Sequence, residues 1–114
     1  MPAREEAEGR TYRHTWTGLL QSETGDSVSM PGAADRTVQA IGTFGGTSIA
    51  FQGSLEKTPT NWFPLTDLQG NAITFTSAGG ELVTEMTTHI RPVLTGGDGS
   101  TTITVTMLSR STMS

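Results

Sequence analysis

The most constraining feature of this sequence is a strict alternation of polar and apolar residues near its C-terminus. From Thr102 to Met107, threonines alternate with Ile103, Val105 and Met107. A period of two residues predicts a β-strand with one buried side and one solvent-facing side. Shorter segments of the same kind, rich in Thr and separated by glycines, recur along the chain. The sequence therefore predicts an all-β protein.

Two glycine-rich segments are predicted to be hairpin turns. Residues 96–100 (Gly-Gly-Asp-Gly-Ser) separate a strand over 90–94 from the alternating strand, and the Asp-Gly pair favours a tight turn. Residues 42–46 (Gly-Thr-Phe-Gly-Gly) likewise separate strands over 36–41 and 47–54. We expect the two strands of each pair to be neighbours in one sheet.

The remaining segments complete a small sandwich. Further strands are expected near residue 12, over 72–76 and over 81–86, which gives about seven to eight short strands. Pro92 lacks a backbone N–H, so its strand is expected at a sheet edge or a bulge. The predicted fold is one domain, residues 12–114, built as a small antiparallel β-sandwich or a jelly-roll-like barrel.

Residues 1–11 are predicted to be a flexible N-terminal arm. They are charged or small and show no hydrophobic periodicity, so we expect neither a signal peptide nor a membrane anchor there. A segment of this kind can become ordered on a neighbouring subunit. Arg4 and Arg10 are therefore candidate protein-interface residues, together with Tyr12 where the domain begins.

Composition argues against several classes of function. The formal net charge of −4 and the presence of one Lys and six scattered Arg argue against direct nucleic-acid binding. The absence of Cys removes disulfides, thiolate nucleophiles and cysteine-based zinc sites. The apolar fraction of 33% indicates a thin core with many turns.

No group of residues predicts catalysis. His14 and His89 lack neighbours at metal-ligand spacing, so we interpret them as structural or surface histidines. Most carboxylates lie in predicted turns, where Asp and Glu commonly bond to the backbone. Neither glycine-rich segment has the Lys-Ser/Thr ending of a phosphate-binding loop. We expect no enzymatic activity, no cofactor and no metal.

Trp62 and Phe63 are the most interesting aromatic pair. They lie where a polar connection meets a strand, so one ring is expected to face the core and the other to face outward. An exposed ring there is a candidate interface anchor. The alternative, held about equally, is that both rings simply cover the end of the sandwich.

Residues 36–109 resemble the capsid decoration, or cement, proteins of tailed bacteriophages, which are built as jelly-roll-like β-sandwiches. The resemblance lies in size, Thr/Gly style and strand order, and it is carried by Gly42-Thr-Phe-Gly-Gly46, Ile49-Ala-Phe-Gln-Gly-Ser54, Pro64-Leu-Thr-Asp67, Gly70-Asn-Ala-Ile-Thr74 and Ile90-Arg-Pro-Val-Leu94. It implies a structural virion protein that binds the outside of an icosahedral shell and stabilises contacts between major capsid subunits.

That resemblance also implies partners and a location. The partners would be the major capsid protein and the chain itself, as a homodimer or homotrimer, with no direct nucleic acid and no membrane. The protein would be assembled in the bacterial host cytoplasm and located on the capsid exterior. The alternatives are a phage tail, neck or fibre-associated β-domain, and a carbohydrate-binding module with a tryptophan as stacking platform.

Overall fold

A computed structural model describes residues 3–8, 11–29, 33–85 and 87–111. The described residues form ten strands and no helix. The strands are β1 (Ala3–Glu8), β2 (Thr11–Leu19), β3 (Val28–Ser29), β4 (Ala33–Thr43), β5 (Ser48–Ser54), β6 (Phe63–Pro64), β7 (Thr74–Phe75), β8 (Gly79–Leu82), β9 (His89–Thr95) and β10 (Thr102–Ser111). The prediction of an all-β protein is confirmed.

The strands form two antiparallel sheets. The first sheet has the order β1-β2-β10-β4-β8. The second has the order β3-β9-β5-β6, and β7 pairs with β5 beside β6. The architecture is that of a small β-sandwich, as predicted.

The core is formed by alternate residues of the long strands. Ile103, Val105 and Met107 of β10 are fully buried, while the threonines between them face outward. Ile49 and Phe51 fill the core from the second sheet, and Phe51 meets Phe75 edge to face with ring centres 6.1 Å apart. The alternating pattern in the sequence therefore identified the buried face correctly.

Both predicted hairpins are wrong. β4 pairs with β10 and β8 in the first sheet, whereas β5 lies in the second sheet. Likewise β9 pairs with β5, whereas β10 lies between β2 and β4. The glycine-rich segments therefore connect one sheet to the other. A turn signal between two alternating segments does not distinguish a hairpin from such a connection, since both need a reversal of direction.

The predicted arm over residues 1–11 also differs from the structure where it is described. Ala3–Glu8 is a strand that pairs with β2 along its whole length, from Ala3 opposite Trp16 to Glu8 opposite Thr11. The sequence did not predict this strand because most of its residues are charged. Edge strands commonly carry such charges, which discourage unwanted pairing. Arg10 lies outside the described residues.

Pro92 lies close to an edge rather than on it. β9 is the second strand of its sheet, and its outer neighbour is the segment around β3. Pro92 O accepts a hydrogen bond from Gly25 N (2.9 Å) of this outer segment. Because the N and C=O of one strand residue point the same way, the missing N–H also faces the outer segment and costs no bond to β5.

Candidate functional site

Strand β1 forms the outer rim of the first sheet, and two of its residues hold it in place. Ala3 is half-buried and packs against the core. Glu5 Oε2 lies 2.9 Å from Nε2 of the buried His14 on β2. Since a carboxylate only accepts hydrogen bonds, Nε2 carries the proton in this contact. Ala3 and Glu5 therefore lie on the side of β1 that faces the core, although Glu5 itself stays largely exposed.

Arg4 lies between these two residues and points the opposite way. Its side chain is exposed, and its partner across the ladder is Thr15. Because side chains alternate along a strand, Arg4 belongs to the outer surface of the first sheet. Among the described residues, no strand pairs with the other edge of β1. Arg4 therefore stands at an open sheet edge.

Tyr12 occupies a different environment. It lies opposite Ala7 of β1 and Ser109 of β10, and it is half-buried. It shares the core-facing side of β2 with His14 and Trp16, at the end of the sandwich. Arg4 and Tyr12 are therefore near in sequence but face opposite sides of the first sheet.

Trp62 and Phe63 belong to the second sheet. Phe63, which pairs with Gly53, packs against the core cluster. The Trp62 ring carries the Arg91 guanidinium 4.0 Å from its centre, at cation–π distance. Arg91 is itself fixed by two hydrogen bonds to Gln52 Oε1, of 3.0 Å from Nε and 2.7 Å from Nη2. The Arg91 guanidinium, which Gln52 holds in place, therefore covers one face of the Trp62 indole.

The candidate interface residues do not converge on one site. Arg4 lies on the outer surface of the first sheet, while Trp62 and Arg91 lie on the second. Phe63 packs against the core, whereas Trp62 stacks with Arg91, and both rings are partly buried. The role of these residues in an interface stays a prediction.

The sequence analysis did not predict that Arg36 is buried. Arg36 on β4 is 1% exposed, and it donates from Nη1 to Thr87 Oγ1 (2.7 Å) and from Nη2 to Thr87 O. Burial lowers the pKa of Arg36 from its ordinary value. Its contact joins β4 of the first sheet to the connection before β9 of the second. The one sequence signal for its burial was position, since Arg36 shares the inward-facing side of β4 with Val38 and Ala40.

Several carboxylates accept hydrogen bonds within the loops that connect the strands. Glu56 accepts bonds from the backbone N of Thr60 and Asn61, both 2.7 Å, and these lower its pKa to about 2. Asp98 accepts bonds from the side chain and backbone of Ser100, which also lower its pKa. Both acids stabilise loops by accepting these hydrogen bonds, and for Asp98 this agrees with the predicted turn chemistry.

The two glycine-rich connections pack against one another at one end of the sandwich. Thr101 Oγ1 donates to Phe44 O (2.8 Å), and Asp98 N donates to Thr101 Oγ1 (3.0 Å). At Gly45, where φ is +58°, an added Cβ would lie 2.4 Å from Asp98 Oδ1. Gly45 therefore allows the two connections to pack closely against one another.

Neither a metal-binding group of side chains nor a similarity to known proteins assigns a function to this chain. In the described part of the chain, no three His, Asp or Glu side chains are grouped to hold a metal ion. The same residues include no helix long and apolar enough to cross a membrane. No protein-family model, curated protein or solved structure matches this chain.

Proposed function

We propose that this protein is a structural component of a phage virion that binds the outside of the capsid and stabilises contacts between major capsid subunits. The proposal rests on the resemblance of residues 36–109 to capsid decoration proteins. A small all-β sandwich is the fold expected for that role. Because fold alone does not define function, a specific surface of the chain must support this role.

The observation that carries the proposal is the open edge of β1. A six-residue edge strand offers unpaired backbone N–H and C=O groups to an extended segment of another protein. Its sequence has one Arg and three Glu, so several antiparallel registers of two copies place glutamates opposite one another and are unfavourable. A strand of a different protein with complementary charges is therefore the better partner.

Arg4 is the proposed recognition residue at this edge. It is exposed on the outer surface next to the open edge, and arginine is enriched at the centres of protein interfaces. We infer that a shell subunit adds a segment to β1 and contacts Arg4. The major capsid protein is the proposed partner, with no direct contact to nucleic acid.

Binding of the purified chain to shells of its source phage that lack it tests the proposal. We expect saturable co-sedimentation of the wild-type chain, and loss of binding when residues 1–10 are deleted. Arg4→Ala should weaken binding about tenfold, the effect of losing one good interface contact. Lys57→Ala is the matched control, because Lys57 is an exposed cation in a loop of the second sheet.

Circular dichroism must show a cooperatively melting β-protein for every variant, with the deletion variant losing only the contribution of β1, so that loss of binding is not loss of folding. Failure of the wild-type chain to bind any shell would refute the proposed function. Equal binding by the wild-type chain and the deletion variant would refute the role of β1.

A further inference from the structure

The strands of the second sheet carry no acidic residue. Their described sequences contain neither Asp nor Glu, and the ionisable residues in them are His89 and Arg91 of β9. The chain as a whole has 11 acidic residues and a net charge of −4. The acids are therefore concentrated in other parts of the protein, and Arg91 has no acidic neighbour on the strands around it.

Arg91 lies on the outer surface of the second sheet and is held in position by two contacts. Its neighbours Ile90 and Pro92 are buried, so its own side chain points away from the core. Its guanidinium carbon lies 4.0 Å from the centre of the Trp62 ring, and its Nε and Nη2 both donate to Gln52 Oε1. Contacts with two separate parts of the chain thus fix the direction of the guanidinium group.

The contact with Gln52 leaves one edge of the Arg91 guanidinium available. Gln52 accepts from the edge formed by Nε and Nη2. The edge formed by Nη1 and Nη2 presents parallel N–H groups, which match the spacing of the oxygens of a carboxylate. Within the described part of the chain, no group accepts a hydrogen bond from Nη1, and no carboxylate lies within ion-pair distance of Arg91.

The acids that flank Trp62 in the sequence do not neutralise Arg91. Glu56 and Asp67 each accept hydrogen bonds from backbone N–H groups of their own loops. Arg110 shows the contrasting arrangement, since this exposed arginine of the first sheet pairs with Asp35. A positioned arginine that has no acidic partner among the described residues, in a chain rich in acids, indicates a partner carboxylate from another molecule.

We propose that Arg91, positioned by Trp62 and Gln52, binds a carboxylate group of a ligand on the outer surface of the second sheet. The carboxylate oxygens accept hydrogen bonds from Nη1 and Nη2. A carboxylate is favoured over a phosphate because its smaller negative charge is repelled less by a chain whose net charge is −4. Trp62, which covers one face of the guanidinium, and Gln52 act as positioning residues.

This carboxylate site goes beyond the proposed capsid role and does not rest on it. The proposed shell contact is the edge of β1 in the first sheet, whereas Arg91 lies on the second sheet. Binding to shells tests the edge of β1, and titration of the free chain with a small anion tests Arg91. Failure of one proposal therefore leaves the other intact.

NMR titration of the purified chain with sodium acetate tests the site, with sodium chloride used to keep the ionic strength constant. We expect saturable shifts of the Arg91 Nε–H and Trp62 Nε1–H signals. The Kd should be roughly 10 mM, the order expected for so small a ligand. Sodium phosphate in a parallel titration should bind more weakly than acetate.

Variants of Arg91 separate the paired donors from simple positive charge. Arg91→Gln should abolish the saturable shift of the Trp62 signal. Arg91→Lys keeps the charge but not the parallel N–H groups, and it should raise the Kd about tenfold. Arg110→Gln is the matched control, because Arg110 already has Asp35 as its partner, and this variant should bind acetate as the wild-type chain does.

The amide spectrum of each variant shows whether it is folded, and Arg91→Lys provides the test if Arg91→Gln does not fold. Acetate shifts no larger than those caused by chloride would overturn the proposal. Phosphate that binds at least as tightly as acetate would overturn the assignment of a carboxylate. Folded Arg91 variants that bind acetate as tightly as Arg110→Gln would also overturn the proposal.

Discussion

Gly25 should be one of the least replaceable residues of this protein, although the sequence places it in a loop. Its segment runs along β9 and covers Trp16, whose Nε1 donates to Asp26 O at 2.8 Å. A Cβ added at Gly25 would lie 2.7 Å from Pro92 Cγ and 2.8 Å from Trp16 Cδ1. Favourable carbon contacts lie at about 3.5–4.0 Å, so both rings would have to move by most of an ångström.

Neither ring moves easily, because Trp16 is fully buried and Pro92 lies within the ladder between β9 and β5. Overpacking of this kind costs about 1–3 kcal/mol. For a domain of 114 residues this corresponds to a decrease in Tm of about 4–12 °C. We therefore expect Gly25→Ala to fold but to melt clearly below the wild-type protein.

Gly99→Ala is the control, since no atom lies within 4 Å of a Cβ at that position and its φ is not positive. It should be neutral or stabilise by up to about 1 kcal/mol, through reduced freedom of the unfolded chain. Thermal unfolding followed by circular dichroism measures both variants. Equal Tm values for Gly25→Ala and Gly99→Ala would refute the packing of the segment over Trp16.

Two further predictions concern polar groups. Arg36→Met leaves the buried Thr87 O without its donor and should cost about 1–3 kcal/mol in urea unfolding; Arg110→Met, which breaks an exposed ion pair, should cost less than about 1 kcal/mol. Equal losses would contradict the role given to Arg36. Glu56 has a folded pKa of about 2, below its ordinary value of 4.5, so its charged form stabilises the fold above pH 4.5. The stability difference between wild type and Glu56→Gln should therefore shrink as pH falls from 4.5 to 2, and a pH-independent difference would disprove the assignment.

The sequence predicted the fold class because the signal lies within single strands. Ile103, Val105 and Met107 alternate with threonines, and this pattern alone determines which side of β10 is buried. The pairing of strands was not predictable in the same way. Whether residues 42–46 turn back within one sheet or cross to the other depends on contacts between distant connections, such as Thr101 with Phe44.

The site was only partly predictable for a similar reason. The sequence identified Trp62 and Phe63 as an aromatic pair, with an outward-facing ring and a pair covering the end of the sandwich as equal alternatives, and in the structure both rings are partly buried. It gave no sign that Arg91 stacks on Trp62, because this contact joins residues far apart in the chain. It also assigned Ala3–Glu8 to an arm, since charged edge strands and charged tails have similar composition.

The measurement that tests the central claim most directly is the copy number of this chain in purified virions of the phage proposed to encode it. Quantitative mass spectrometry against the major capsid subunit provides it. A capsid decoration protein should be present in numbers comparable to that subunit. A handful of copies per virion, or none, would contradict the proposed role.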